Sequence, residues 1–318
     1  MKRVGVFLIA ALLGAGLVGV GRDLALSVTD VDPGVRGTGL GGAGVAAAYN
    51  VEALYYNPAR LATAGGASFQ SFYAAHLGAL DYTALGVSFP SWGVGYLVLS
   101  SRDVHGYSAG GTRGDELRYR SSALLLGFGA SPQTLPFLPR LPFDWAVGTR
   151  LAILSSRLGS ERGSGFGLDL AASIELGSLP LGGVAIDDLS VGIYATNLLG
   201  TVGYDARRET LLTDGRLGVS AVIAGQVLAT FDYQMSGRVH IGAEYRALPT
   251  VALRVGILHQ RPGASITLGV GLNLEGFGFD YAYMSSTGLS GSHRLALSID
   301  FAAVDLGALT SMMRRILP

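Results

Sequence analysis

The chain has 318 residues, of which 49% are hydrophobic and only 14% charged, against a usual charged share of about 25%. Lysine plus arginine and aspartate plus glutamate both number 23, so no basic excess exists to neutralise nucleic-acid phosphates. The absence of cysteine excludes disulfides, thiolate metal sites and cysteine nucleophiles. The 48 glycines argue against a protein of long helices, because glycine weakens helix interiors.

Residues 1–21 have the features of a signal peptide. Lys2 and Arg3 precede an apolar run from Val4 to Val20, and Gly19-Val20-Gly21 supplies small residues at a cleavage position. The run approaches the length of a membrane-spanning helix, so a retained anchor is the alternative. Both interpretations predict that the rest of the chain is exported.

Residues 22–66 form a second region, and residues 34–66 within it do not alternate as strands do. Gly37-x-Gly39-x-x-Gly42 matches a dinucleotide fingerprint by its letters, but no strand precedes it and no β-α-β unit follows, so that interpretation fails. Asn57 can close an Asx-turn, and Pro58 fixes the backbone. We expect this region to be a small plug inside the fold; an ordinary loop is the alternative. The predicted plug motif is Gly39, Gly41, Gly42, Asn57, Pro58 and Ala59.

Residues 67–301 show the period-2 alternation that predicts β-strands. In 265–274, for example, Ile266, Leu268 and Val270 alternate with Thr267 and Gly269. Most segments have about ten residues, the length that crosses a bilayer at a tilt. The predicted strands, about fourteen, are 67–76, 81–89, 92–102, 118–130, 143–155, 163–177, 189–198, 212–223, 226–234, 238–246, 250–260, 263–274, 276–286 and 292–301.

The connections between these strands differ in length. Ser236-Gly237 and Leu248-Pro249 are tight, whereas 103–117, 199–211 and 286–291 are longer. Short turns at one end and long loops at the other are typical of outer-membrane barrels. The proline-rich segment 131–142 interrupts the succession of strands and turns, and we interpret it as a structured turn or a small excursion of the chain at the barrel rim.

The two strand faces predict an all-β, antiparallel transmembrane β-barrel. Alternation alone also permits a soluble β-sandwich, but the polar face is rich in glycine and small residues, and an export signal precedes it. Charges on the inward face should pair across neighbouring strands, because an unpaired buried charge is costly; a polar wall lining a substrate path is the functional alternative. The predicted lumen network has six positive and six negative residues: Arg150, Asp169, Glu175, Arg216, Asp232, Arg238, Glu244, Arg246, Arg254, Asp280, Arg294 and Asp300.

Aromatic residues near strand ends are candidates for interfacial girdles, with ordinary strand composition as the alternative: Phe89, Trp92, Tyr96, Trp145, Phe277, Phe279, Tyr281 and Tyr283. No cofactor, metal or enzymatic activity is expected. None of the histidines His76, His105, His240, His259 and His293 has the spacing of a zinc site. We expect His240 to be a hydrogen-bonding residue of the lumen.

Two motifs at the start of the mature chain resemble the FadL/PorV-like outer-membrane proteins. They are Gly39-Leu40-Gly41-Gly42-Ala43-Gly44-Val45-Ala46 and Ala53-Leu54-Tyr55-Tyr56-Asn57-Pro58-Ala59-Arg60-Leu61. The resemblance implies a fourteen-stranded barrel with the N-terminal segment folded inside. For FadL-type members it implies passive transport of hydrophobic small molecules across the outer membrane. Residues 289–297, LSGSHRLAL, resemble a PorV-type last strand, which implies a secretion-associated barrel that docks proteins.

The expected organisation is a signal peptide at 1–21, a plug segment at 22–66, a barrel at 67–301 and a tail at 302–318. Leu306, Leu309, Met313 and Ile316 give the tail helical spacing; a frayed tail is the alternative. Expected partners are the lipid bilayer, a hydrophobic small molecule, and a secretion-system or periplasmic protein, with no nucleic acid. The expected location is the outer membrane. A soluble exported β-sandwich that binds a ligand is the weakest alternative.

Overall fold

A computed structural model describes residues 28–102, 105–107, 110–116, 118–181, 184–204, 207–286 and 290–304. The predicted signal peptide and residues 305–318 of the predicted tail lie outside these ranges. The strands are β1 (Ser68–His76), β2 (Leu80–Phe89), β3 (Trp92–Ser101), β4 (His105–Tyr107), β5 (Arg113–Glu116), β6 (Tyr119–Ala130), β7 (Asp144–Leu158), β8 (Glu161–Leu181), β9 (Val184–Tyr204), β10 (Arg207–Thr210), β11 (Asp214–Ile223), β12 (Val227–Gln234), β13 (Arg238–Leu248), β14 (Val251–Gln260), β15 (Gly263–Leu274), β16 (Phe277–Met284) and β17 (Ser292–Asp300).

Fourteen strands close into one antiparallel barrel. The order is β9-β11-β12-β13-β14-β15-β16-β17-β1-β2-β3-β6-β7-β8, and pairing of β8 with β9 completes the ring. The predicted fourteen-stranded barrel is confirmed. The alternative fold, a β-sandwich, is wrong because the sheet closes on itself. Of the remaining strands, β4 and β5 form a separate hairpin, and β10 pairs with the end of β9.

The barrel has two distinguishable ends. We call the end where Ser68 pairs with Asp300 the terminal end, and the opposite end the distal end. The tight Ser236-Gly237 turn lies at the distal end, as does the long β3–β6 connection, while the proline-rich segment between β6 and β7 lies at the terminal end. The β3–β6 and β16–β17 connections both lie at the distal end, and the tight Leu248-Pro249 turn lies at the terminal end. The expected separation of short turns from long loops therefore holds in part, with Ser236-Gly237 and the proline-rich segment as the exceptions.

The predicted loop 199–211 is also wrong, because most of it is strand. β9 continues to Tyr204, and β10 folds back onto it. The sequence signal fails here because the β8–β9 register shifts between Leu168 and Leu170, and Asn197 has a φ of 53°. Backbone pairing continues past this bulge, but the alternation of side chains changes phase, so the strand pattern is interrupted.

The outer face of the barrel is apolar. Leu126, Ile153 and Phe166 are 40%, 46% and 46% exposed, whereas Arg150 and Ala152, which point inward, are buried. Exposed apolar surface costs about 25 cal/mol per Å² in water, and a continuous band of it is unlike the surface of a soluble monomer. The aromatic residues predicted for the interfacial girdles lie at different heights on this face. Near the terminal end are Phe89, Trp92, Trp145 and Phe277, with Phe279 one residue pair further in. Towards the distal end are Tyr281 and Tyr283, and Tyr96 lies in the middle of its strand.

The interior holds the chain's own N-terminal residues. Short helices at Val35–Gly39 and Val51–Tyr56 and 3-10 turns at Val28–Asp30 and Pro58–Thr63 lie within the ring, and most of residues 28–61 are buried. We call residues 28–64 the inner segment. Within the described ranges, no helix combines the length and the apolar character required to cross a membrane.

The inner wall has two chemically different halves. Buried Tyr82, Leu97, Leu99, Leu125 and Leu154 make the wall of β2, β3, β6 and β7 largely apolar, although we expected small and charged residues on this face throughout. The apolar half packs against the inner segment in one hydrophobic cluster. Eleven of the twelve charges that we predicted for the lumen lie on β8, β11 to β14, β16 and β17, on the other half.

Candidate functional site

Asn57 holds together the fold of the inner segment. It is 0% exposed; its Oδ1 accepts a hydrogen bond from Ala59 N–H at 3.1 Å, and its Nδ2 donates to Val45 O at 2.8 Å and to the wall carbonyl of Ala172 at 3.2 Å. Pro58 then begins the 3-10 turn, where its missing N–H removes no hydrogen bond. The Asn57-Pro58-Ala59 sequence therefore ties two parts of the inner segment to each other and to β8.

Gly39, Gly41 and Gly42 lie at one of the places where the inner segment passes close to the wall. Gly41 and Gly42 have φ values of 69° and 84°, which side-chain-bearing residues rarely adopt. Thr267 Oγ1 accepts from Gly41 N–H at 3.0 Å and donates to Gly39 O at 3.1 Å. A Cβ on Gly41 would lie 2.6 Å from Ile257 O. Gly39 and Gly41 allow backbone of the inner segment to touch backbone of the barrel, and Gly42 leaves room for the side chains of Asp32 and His240.

Glycines in the wall meet the inner segment from the other side. A Cβ on Gly148 would lie 2.2 Å from Ala59 N, and one on Gly256 would lie 2.2 Å from Gly41 N. No side chain fits at such distances, so the wall and the inner segment are matched by the absence of side chains. The same close approach, 2.5 to 2.6 Å from a carbonyl oxygen of the inner segment, occurs at Gly129, Gly192 and Gly242.

A four-residue ion-pair chain joins the first short helix to the wall. Arg36 Nε lies 2.9 Å from Glu244 Oε2, the same carboxylate lies 2.7 Å from Arg254 Nε, and Arg254 Nη1 lies 2.5 Å from Asp280 Oδ1. The Arg36 guanidinium also lies 4.7 Å from the centre of the Tyr49 ring. Sequence reasoning identified the three wall residues of this chain but missed Arg36.

Glu52 stabilises the same helix from within the inner segment. Its carboxylate accepts hydrogen bonds from Arg36 N–H at 3.0 Å and Gly37 N–H at 3.1 Å, which are free donors at the helix N-terminus. Burial raises the pKa of the Glu52 carboxyl above its ordinary value, while the nearby Arg36 charge acts in the opposite direction.

A second pair lies at the boundary between the two halves of the wall. Arg150 Nη2 lies 2.6 Å from Asp169 Oδ2 on the neighbouring strand, and Tyr194 OH donates to the same carboxylate at 2.8 Å. Arg150 also donates to the carbonyl oxygens of Leu54 and Tyr55 at 3.3 and 3.2 Å. It therefore satisfies the end of the second short helix.

The other predicted lumen charges mostly contact the inner segment rather than one another. Asp232 Oδ2 accepts from Gly44 N–H at 2.9 Å and Val45 N–H at 3.0 Å. Arg294 donates to Thr38 Oγ1 at 2.9 Å and to Asp32 O. The remaining contacts are Glu175 to Arg60 (3.7 Å), Arg216 to Asp32 (4.0 Å) and Asp300 to Asn50 (3.3 Å). Arg238 is half-buried beside a cavity, and Arg246 is exposed.

Histidines extend this polar contact surface. His240 Nδ1 lies 2.8 Å from Gly41 O, and its Nε2 lies 2.8 Å from Arg216 Nη2, which gives it the hydrogen-bonding position expected from the sequence. His76 Nδ1 lies 2.8 Å from Ser292 Oγ. Within the described residues, no group of three or more histidine, aspartate or glutamate side chains is arranged to hold a metal ion.

Two cavities flank the inner segment. The distal cavity has a volume of about 510 Å³. Leu97, Leu154 and Val202 supply apolar surface on one flank, where Ser121, Arg150 and Ser156 also line it, and Arg216 and Arg238 lie on the other flank. The terminal cavity has about 250 Å³ and is lined by the Arg36–Glu244–Arg254–Asp280 chain, together with Asn50 and Asp300. The inner segment therefore divides the lumen into a larger, amphipathic distal space and a smaller, polar terminal space.

The molecule belongs to the class of closed, fourteen-stranded antiparallel barrels that hold their own N-terminal segment inside. Two solved structures of the Pseudomonas putida toluene transporter TodX share the fold. One has a TM-score of 0.50 and 12% identity, covering 83% of this chain and 97% of TodX. The other has a TM-score of 0.50 and 13% identity, covering 86% and 98%. At such identity the likeness concerns the fold alone. No protein-family model and no curated protein matches the sequence.

Proposed function

We propose that this chain is an outer-membrane channel through which hydrophobic small molecules pass without energy input and without enzymatic conversion. The apolar outer belt supports placement in a bilayer, because each exposed side chain there is stabilised by hydrocarbon. TodX, which has the same fold, is a toluene transporter by name. The observation that carries the proposal is the distal cavity, which offers an apolar flank inside a closed barrel.

The size and chemistry of the distal cavity fit a small ligand. Its volume of about 510 Å³ falls within the range of about 300–1,000 Å³ of small-molecule sites. Leu97, Leu154 and Val202 would bury an apolar ligand from one side, and the facing arginines would keep that side of the space hydrated. An apolar molecule would therefore bind against β3, β7 and β9.

Passage requires movement of the inner segment, because this segment separates the two cavities. We propose that Gly39, Gly41, Gly42, Asn57, Pro58 and Ala59 form the core of a plug, and that the charged wall holds this plug by pairing with it. The sequence left two interpretations of the lumen charges open: pairing across the strands, or a polar wall lining a substrate path. In this proposal both apply, because the same charged residues position the plug and line the terminal cavity.

Uptake of radiolabelled toluene into vesicles with a lipopolysaccharide outer leaflet tests the proposal. Val202→Trp fills the distal cavity and should reduce uptake to the level of vesicles without the protein. Gly203→Ala is the matched control, because the adjacent residue points away from the cavity and its Cβ would meet only Ser164 O, at 3.8 Å. The proposal would be refuted if vesicles with the wild-type protein took up toluene no faster than empty vesicles.

The protein-docking alternative remains a prediction. Neither of the two TodX structures is a secretion-associated barrel by name. Affinity isolation from membranes with and without residues 302–318 would test docking, and recovery of the barrel alone in both cases would count against it.

A further inference from the structure

Three arginines stand side by side on the outer face of the barrel near its distal end. Arg120 on β6 pairs directly with Arg157 on β7, which pairs directly with Arg162 on β8. All three are exposed, and they share the parity of the apolar, outward-pointing residues of their strands. Directly paired residues have Cβ atoms about 5 Å apart, so the three arginine side chains start from a row of Cβ atoms about 10 Å long. We call it the arginine row.

The arginine row is electrostatically unfavourable on its own. Like charges directly opposite each other destabilise a sheet, and Arg157 has such a neighbour on both sides. Its Nε donates to Gly159 O at 3.0 Å, which satisfies a donor but does not neutralise the charge. Within the described ranges, no ion pair joins any of the three to an acidic side chain. An external anion would relieve the repulsion.

The residues below the arginine row change character in register. The next outward set on the same strands is Ser122, Ser155 and Ser164, and the one after it is Leu124, Ile153 and Phe166. Each set lies two residues, about 7 Å, further along the strands. The side chains of the outer wall therefore change from cationic through hydroxyl to apolar within about 13 Å. This order is complementary to a lipid whose anionic headgroup is followed by polar linking groups and then by apolar acyl chains.

The opposite boundary of the apolar belt fixes the height of the arginine row. Trp145 pairs with Ile174 near the terminal end of β7 and β8, where an aromatic residue suits a membrane interface. Ile153 lies eight residues from Trp145, about 27 Å along the strand and about 20 Å in height at a tilt of about 40°, so it lies inside an apolar band about 25 Å tall. Arg157 lies four residues further, at a height of about 30 Å. The arginine row thus lies just above the band, at headgroup level.

We infer that the arginine row binds the phosphate groups of a phosphorylated lipid whose acyl chains lie on the leucine, isoleucine and phenylalanine set below. Guanidinium groups bind phosphate oxygens through paired, charge-assisted hydrogen bonds. This inference rests on the proposed function only for the bilayer around the barrel. It concerns the outer wall, and toluene passage concerns the lumen.

Thermal unfolding in neutral detergent tests the inference, with diphosphorylated lipid A as the probe. The lipid should raise the Tm of the wild type and of the control Arg261→Gln, which removes an exposed arginine from the β14–β15 turn. The apparent affinity should weaken about tenfold for each arginine of the row replaced by glutamine. Without lipid, Arg157→Gln should melt no lower than the wild type, since it removes two repulsions.

Several results would overturn the inference. An equal Tm rise with dephosphorylated lipid A, or with inorganic phosphate at the same concentration, would show that no phosphorylated lipid is recognised. The heat-modified mobility of the barrel in gels shows whether Arg157→Gln is folded. If the folded variant binds lipid A with unchanged affinity, the arginine row is not the site. Because this assay requires no transport, failure of toluene uptake and failure of lipid binding are distinguishable.

Discussion

Replacing Gly148 with alanine should push the inner segment off the barrel wall while leaving the barrel intact. The new Cβ would lie 2.2 Å from Ala59 N, 2.4 Å from Pro58 C and 2.6 Å from Ala59 Cα. Ordinary carbon contacts are about 3.5–4.0 Å, so the inner segment must retreat by more than about 1 Å. All three atoms are backbone, so no side-chain rotation relieves the overlap.

The magnitude follows from two costs that fall on the attached inner segment. Overpacking costs about 1–3 kcal/mol, and each hydrogen bond that Asn57 loses on retreat adds about 1 kcal/mol. Within the strand, alanine stabilises by about 0.5–1 kcal/mol relative to glycine, and it does so equally whether the inner segment is attached or detached. A net cost of about 2 kcal/mol confined to the inner segment multiplies its detached population about thirtyfold, while the barrel keeps its stability.

Limited trypsin digestion measures this effect directly. Arg36 is buried and Arg60 is nearly so, with side chains 7% and 14% exposed, so cleavage after either requires the inner segment to leave its place. We expect faster cleavage at both residues in Gly148→Ala, with unchanged heat-modified mobility of the barrel. Gly203→Ala should behave as the wild type. Cleavage of Gly148→Ala at the wild-type rate would refute the claim that backbone contact with the wall holds the inner segment.

Three wall substitutions on the charged half should loosen the inner segment by different amounts, all measured by trypsin cleavage after Arg36. Glu244→Gln leaves two buried guanidinium groups without their shared carboxylate, which should cost about 3–5 kcal/mol; cleavage at the wild-type rate would contradict this. Asp232→Asn keeps the shape but removes the charge that accepts two backbone N–H groups, for about 1 kcal/mol, so its cleavage rate should fall between the wild type and Glu244→Gln. Thr267→Val removes both hydrogen bonds to the glycine turn without changing strand propensity, for about 1–2 kcal/mol; a rate equal to the wild type would show that those bonds contribute nothing.

The sequence predicted the strands well because a barrel wall separates two environments along its whole length. β15 occupies Gly263–Leu274, the same range as its prediction, since every second residue there meets the apolar outside. The inward leucines of β3 were not predictable in the same way. Leu97 and Leu99 lie within the apolar run Tyr96-Leu97-Val98-Leu99, where both faces are apolar and alternation carries no information.

The partners of the lumen charges could not be predicted because most of them lie on the inner segment. Asp32, Arg36 and Arg60 occur in a region without alternation, so no register assigns them neighbours. The glycine-rich inner wall was visible in the sequence, but its reason was not. Gly148 and Gly256 leave room for the backbone atoms of Ala59 and Gly41, and only the folded inner segment reveals that match.

The two halves of the wall suggest which part of the inner segment moves first. On the charged side, Arg36 is fixed by directional bonds to Glu244, and moving it would leave a buried charge unpaired. On the apolar side, Val28 and Val31 belong to the hydrophobic cluster that includes Leu154 beside the distal cavity. An apolar ligand can replace their packing contacts, because the hydrophobic effect is non-directional.

The first turn of the inner segment is therefore expected to yield before the helix that carries Arg36. Tyr82 OH holds this turn by sharing its one hydrogen between Val28 O at 3.1 Å and Val31 O at 3.0 Å. Tyr82→Phe removes both contacts and keeps the ring, which lowers the cost of displacing the turn by about 1–2 kcal/mol. Toluene uptake should then rise by up to about tenfold, with trypsin cleavage after Arg36 unchanged. If cleavage after Arg36 rose together with uptake, the inner segment would move as one body, and the two halves of the wall would not act separately.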